Sequence, residues 1–113
     1  DRGVPQRKIT QQIDYYLKPS DAGRHIYCGE WENGGSIFVP NHADVSFPIG
    51  TVITVVSGPS TVYIYPNNGN IVTIWGAGFN LSNQSWNIPA HSIATLLKVE
   101  SNVWMLSGVS LNN

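Results

Sequence analysis

Three histidines (His25, His42 and His91), a single cysteine (Cys28) and the carboxylates Glu30, Glu32 and Asp44 are the side chains of this 113-residue chain best equipped for chemistry. Metal binding needs converging ligands, and in sequence these usually stand a few residues apart. The three histidines are scattered, so structural or surface roles are expected and no metal is implied. Paired carboxylates hydrolyse glycosides when a cleft holds them at a set separation. Glu30 and Glu32, in "CGEWENGG", would share one face of a strand, where a solvated edge is the better reading. Asp44, close to His42, has no sequence neighbours that would perturb it as a catalytic acid must be perturbed. Cys28 stands next to Gly29 with no cation to lower its pKa, so a buried, inert thiol is expected. The glycine pairs in "NGG" and "WGAG" lead into no helix, which excludes a phosphate-binding loop. The sequons at Asn80 and Asn83 matter only in a eukaryotic secretory pathway. The expectation is a non-enzymatic protein without cofactor.

The elements that would position these residues are strands. "TVITVVSG" (51–58), "STVYIYP" (60–66) and "NIVTIWG" (70–76) are short, rich in β-branched and aromatic residues, and bounded by turn formers. Further strands are expected at 24–30, 36–40, 85–89, 92–99 and 102–108. Alternation puts Val62 and Ile64 on one face and Tyr63 and Tyr65 on the other. It also puts Ile93, Thr95, Leu97 and Val99 opposite Ala94, Leu96 and Lys98, with "ESN" turning that strand into "VWML" as a closing hairpin. "PNNGN" carries the Asn-Gly hairpin signal. Residues 7–17 fit both a helical and an extended pattern, and the extended reading is preferred for Thr10, Tyr15 and Tyr16. Turns at intervals of about 8 to 12 residues suggest an all-β sandwich or barrel. One domain spanning 18–113, with 1–17 as an extended arm, follows.

Charge narrows the function further. The net charge is −1, which leaves no footprint for nucleic acid, and no apolar run is long enough for a membrane helix. The opening residues lack the apolar heart of a signal peptide and begin without methionine, as in a processed chain or a fragment. Charged residues make up 12% of the chain, against about 25% in an ordinary domain. The deficit is local, since no Asp, Glu, Lys or Arg lies between Asp44 and Lys98. Such a span is covered by copies of itself or solvated through Asn, Ser, Thr, Gln and Tyr.

With "SDAGRHIYC" first, "SIFVPNHADVSFPIGTVITVV" in the middle and "IPAHSIATLLKVESNVWMLSG" at the end, the chain resembles a small β module of bacteriophage fibre and tail proteins. The resemblance covers residues 15–109 and rests on the joint order "DAG", "FPIGT", "ATLLKV", "VWMLSG". It implies an antiparallel β-sandwich or jelly-roll-like module that forms a homotrimer in the virion, on the tail or capsid surface. It carries no active site. The role it implies is a tail fibre or spike involved in host attachment. The alternative is a head fibre or capsid decoration protein that reinforces the capsid, with a sugar-binding module or a glycan hydrolase behind.

Two groups of residues carry the contact expectations. Tyr63, Tyr65 and Trp75, on strands expected to be adjacent, would form a flat polar-aromatic patch for a host glycan or a sister subunit. Arg2, Arg7 and Lys8, together with Lys18, hold four of the six basic residues and would anchor the arm on a larger assembly. Long uncharged strands such as "TVITVV" and "NIVTIW" would expose flat edges, which symmetric association hides.

Overall fold

In a computed structural model, which describes residues 6–8, 14–31, 35–67, 71–76, 82–83 and 86–108, the chain is built from strands, with one 3₁₀ turn at Pro19–Asp21 and no α-helix among the described residues. The strands are β1 (Gln6–Lys8), β2 (Asp14–Tyr16), β3 (His25–Cys28), β4 (Gly35–Val39), β5 (Val52–Ser57) and β6 (Val62–Pro66). They continue with β7 (Thr73–Gly76), β8 (Ser82–Asn83), β9 (Trp86–Ile88), β10 (Ile93–Glu100) and β11 (Val103–Gly108). All eight strands expected from 24 onward are found, and β8 is additional.

They form a seven-stranded sheet in the order β1-β3-β5-β10-β11-β7-β8 and a four-stranded sheet in the order β2-β4-β6-β9. The chain alternates between the sheets from β1 to β6. Each strand therefore reaches its neighbour in its own sheet only after crossing through the other sheet, and it arrives running the same way. A parallel pair needs a long return connection; here a strand of the opposite sheet supplies it. So β1, β3 and β5 pair in parallel, as do β2, β4 and β6. Reversal comes late: β9 runs antiparallel to β6, and β10 antiparallel to both β5 and β11. The antiparallel arrangement expected from sequence thus holds for four of the nine described pairings, and the sheets are mixed.

Two local expectations change for the same reason. "PNNGN" does not close a hairpin, because β6 and β7 belong to different sheets. Val62 and Ile64 bury one face from one side of the core and Ile74 from the other, so the connection must cross rather than fold back. "TVITVV" and "NIVTIW" are not bare edges either, since β5 lies between β3 and β10, and β7 between β11 and β8.

One core cluster is shared by both sheets. Tyr15, Leu17, Ile37, Val39, Val62, Ile64, Trp86 and Ile88 come from or adjoin the four-stranded sheet; Ile26, Cys28, Ile53, Val55, Ile74, Leu96, Trp104 and Leu106 come from the other. Of the segment 1–17 expected as an arm, Gln6–Lys8 and Asp14–Tyr16 are strands and Tyr15 and Leu17 are buried. Tyr15 and Leu17 thus belong to the core, and residues 1–5 and 9–13 of the expected arm lie outside the described residues.

Candidate functional site

The sequence motifs meet in one scaffold. In "DAG", the buried Asp21 accepts hydrogen bonds from Tyr15 Oη at 2.7 Å and from the Lys18 backbone N–H at 2.9 Å. Gly23 then turns with φ +76° and donates to Val52 O at 2.9 Å. In "FPIGT", Phe47 packs edge-on against Trp104 at 5.7 Å, and Gly50, at φ +95°, donates to Lys98 O at 2.8 Å. Lys98 N returns the bond to Thr51 O at 3.0 Å. The Lys98 side chain turns inward with Ala94 and Leu96, as alternation requires, and is 2% exposed. Its Nζ donates to Phe47 O at 2.7 Å and lies 2.8 Å from His42 Nδ1, with the Trp104 ring 5.9 Å away. Burial holds the Lys98 amine below its usual pKa. The backbone N–H of His42 in turn donates to Asn102 Oδ1 at 2.8 Å. "FPIGT", "ATLLKV" and "VWML" are thus joined by internal hydrogen bonds and packing, which spends their polar groups on structure.

The three histidines stay apart from one another. His25 lies on β3, His42 in the turn before Phe47, and His91 in the exposed turn before β10. Among the described residues no three His, Cys, Asp or Glu side chains gather as a metal site. Glu32 lies outside the described residues, Glu30 is exposed, and Asp44 is exposed in a turn where its N–H donates to Asn41 Oδ1 at 2.9 Å. Cys28 is buried, and burial pushes its thiol up to about 12. A thiol so held supplies no thiolate near neutrality.

Two solvent faces remain, one on each sheet. On the seven-stranded sheet, Val52, Leu97, Met105 and Trp75 stand in register across β5, β10, β11 and β7. Val52, Leu97 and Trp75 are exposed, and Ile93 on the same face is 60% exposed. Beside them, His25, Thr54, Val56 and Ile93 line an open hollow of about 260 Å³. Apart from His25 these positions have no titratable group.

The face of the four-stranded sheet is aromatic and polar. Tyr16, Phe38 and Tyr65 are in register across β2, β4 and β6. Their rings stack in series, with centroids 4.7 Å and 5.6 Å apart and interplanar angles of 16° and 27°. Tyr63 stacks beside Tyr65 at 6.2 Å. The neighbouring register row on the same face is Asp14, Ser36, Tyr63 and Asn87.

Tyr63 and Tyr65 therefore share a patch, and Trp75 does not join it. β6 and β7 were expected to be adjacent; they lie in different sheets, and Trp75 faces solvent from the other one. Asp14, Tyr16 and Phe38 were not picked out from sequence, because nothing in "IDYYL" and "SIFVP" tells that these segments are neighbours of "VYIYP". Alternation about the buried Tyr15 and Ile37 was the available signal. Of the basic anchor residues, Arg7 and Lys8 lie on β1, an edge strand of the seven-stranded sheet, and Arg2 lies outside the described residues. Compared with known families and characterised proteins, the chain matches no family model and no curated sequence.

Proposed function

We propose that this chain is a non-enzymatic structural module of a bacteriophage tail fibre or spike, folded as a two-sheet sandwich and assembled as a homotrimer through the outer face of its seven-stranded sheet. The observation that carries the reading is the uncharged row Val52, Leu97, Met105 and Trp75, with Ile93 beside it. Contiguous exposed apolar surface on a soluble protein marks an interaction site. A β-sheet face is rigid, and so its side chains are ordered before a partner arrives, which lowers the cost of association. The trimer and the virion setting rest on the resemblance in "DAG", "FPIGT", "ATLLKV" and "VWMLSG". The joining of the last three of these by hydrogen bonds and packing, with the Gly23 N–H of "DAG" bonded to Val52 at the head of the strand that follows "FPIGT", suits a module whose recurring residues serve folding.

Sedimentation equilibrium at micromolar and nanomolar concentrations tests the assembly: a trimer mass is expected, and a monomer throughout overturns it. Antibody labelling of intact particles then distinguishes a tail fibre or spike from a capsid decoration.

A further inference from the structure

We infer that the outer face of the four-stranded sheet is a binding platform for an uncharged polysaccharide, with Tyr16, Phe38 and Tyr65 as its apolar track and Asp14, Ser36, Tyr63 and Asn87 as its polar rail. This adds a ligand-binding face to the assembly reading above and stands separately from it, because it lies on the other sheet.

The geometry carries it. The two register rows run across the same strands, two residues apart along each strand, which separates them by roughly 7 Å. A sugar ring has the same division: an apolar patch of C–H groups on its face and hydroxyls around its rim. The stacked rings turn their faces to one another and their edges to solvent, so a saccharide sets C–H groups against the outer face of Tyr16 and the ring edges of Phe38 and Tyr65, while its rim reaches a carboxylate, a hydroxyl, a phenol and an amide. Tyr16 is on β2, the edge strand, so its ring face away from Phe38 meets no further ring of the row, and the residue is half exposed. That gives one open stacking plane at the end of the track. Stacking between neighbours and the parallel strands holds the rings in place before a ligand arrives.

The two outer faces differ in their aromatic content. The seven-stranded face sets the row Val52, Leu97, Met105 and Trp75 beside the row His25, Thr54, Thr95 and Ser107, with a single aromatic ring in its apolar row. On the four-stranded face the aromatic row lies beside a polar one, as suits a hydroxyl-rich, hydrated ligand whose remaining contacts pass through water. Charge narrows the ligand further. Asp14 is the one formal charge in the two rows, so within them an anionic polysaccharide meets repulsion and no cation, whereas a neutral one uses the carboxylate as a hydrogen-bond acceptor.

The test is affinity electrophoresis and titration of the intact protein with a panel of neutral glycans (dextran, mannan, galactan and chitohexaose), with polygalacturonate as the anionic control. Binding to at least one neutral glycan and none to polygalacturonate is expected. Tyr16→Ala should raise the dissociation constant at least tenfold, and Asp14→Asn should raise it several-fold. Tyr16→Phe, which keeps the ring, should retain most of the affinity and guards against loss of folding. Ile49→Ala, in the exposed turn before β5 and outside both rows, should leave binding unchanged. No binding to any neutral glycan of the panel, or binding indifferent to both Tyr16→Ala and Asp14→Asn, overturns the inference. So does a change of sedimenting mass in Tyr16→Ala, which would make this face a contact between copies; a monomeric wild type that still binds glycan leaves the inference standing and removes only the assembly reading.

Discussion

Lys98 Nζ lies 2.8 Å from His42 Nδ1 and 2.7 Å from the carbonyl oxygen of Phe47, so neither group beside this buried amine is a carboxylate. Burial without a carboxylate penalises the ammonium form, and the Lys98 pKa lies below its usual 10.5. The sign follows by linkage. Between the lowered folded value and the unfolded value, the unfolded chain binds more protons, so stability rises with pH through that window. Below the window the penalty is present in full. Chemical denaturation across pH 7 to 10.5 should show the wild type gaining stability relative to Lys98→Met; a constant difference would refute the account. Lys98→Ala should cost about 2 to 4 kcal/mol, from the cavity and the orphaned Phe47 carbonyl.

Cys28 runs the other way. Its thiol is held up to about 12 from an ordinary 9.0, so the folded protein keeps a proton that the unfolded chain releases. This contribution to stability is present below about 9 and is lost as pH rises towards 12. Cys28→Ala should therefore lose less stability than the wild type between pH 9 and 11. Iodoacetamide at pH 8 should leave the native thiol unmodified and label it on unfolding. Prompt labelling of folded protein would show that the side chain is not shut in the core.

Leu97 stands between Val52 and Met105 in the uncharged row, at 38% exposure. Leu97→Lys should change the stability of an isolated protomer by no more than ~0.5 kcal/mol, as surface substitutions do. In an assembly that uses this face it buries an unpaired ammonium and should abolish association. A variant that sediments with the wild-type mass would place the interface elsewhere.

His91 has φ +54° in the turn that leads into β10, where its N–H donates to Gly58 O at 2.8 Å. A left-handed backbone costs a β-branched residue most and glycine least. Thermal melts should rank His91→Gly above His91→Val by about 1 to 2 kcal/mol, and equal melts would mean that the turn relaxes.

The strands themselves were legible in the sequence, because alternation is a local property: Val62 and Ile64 against Tyr63 and Tyr65, and Ala94, Leu96 and Lys98 against Leu97, depend only on the period of a pleated chain. The positive φ of Gly23 and Gly50, which favours glycine, is a feature of the folded chain. Which strands become neighbours was decided by the tertiary structure. "VYIYP" and "NIVTIWG" follow one another with a hairpin signal between them, yet each buries one face in a single core from opposite sides, so Trp75 and Tyr65 end on different sheets. The row Tyr16, Phe38 and Tyr65 is the counterpart: residues from three separated segments become neighbours only through parallel pairing across crossovers, which no local pattern encodes. Lys98 shows both halves at once. Alternation put it on one face with Ala94 and Leu96, and only the folded chain turned that face inward and supplied the Phe47 carbonyl and the His42 ring that make a buried amine tolerable.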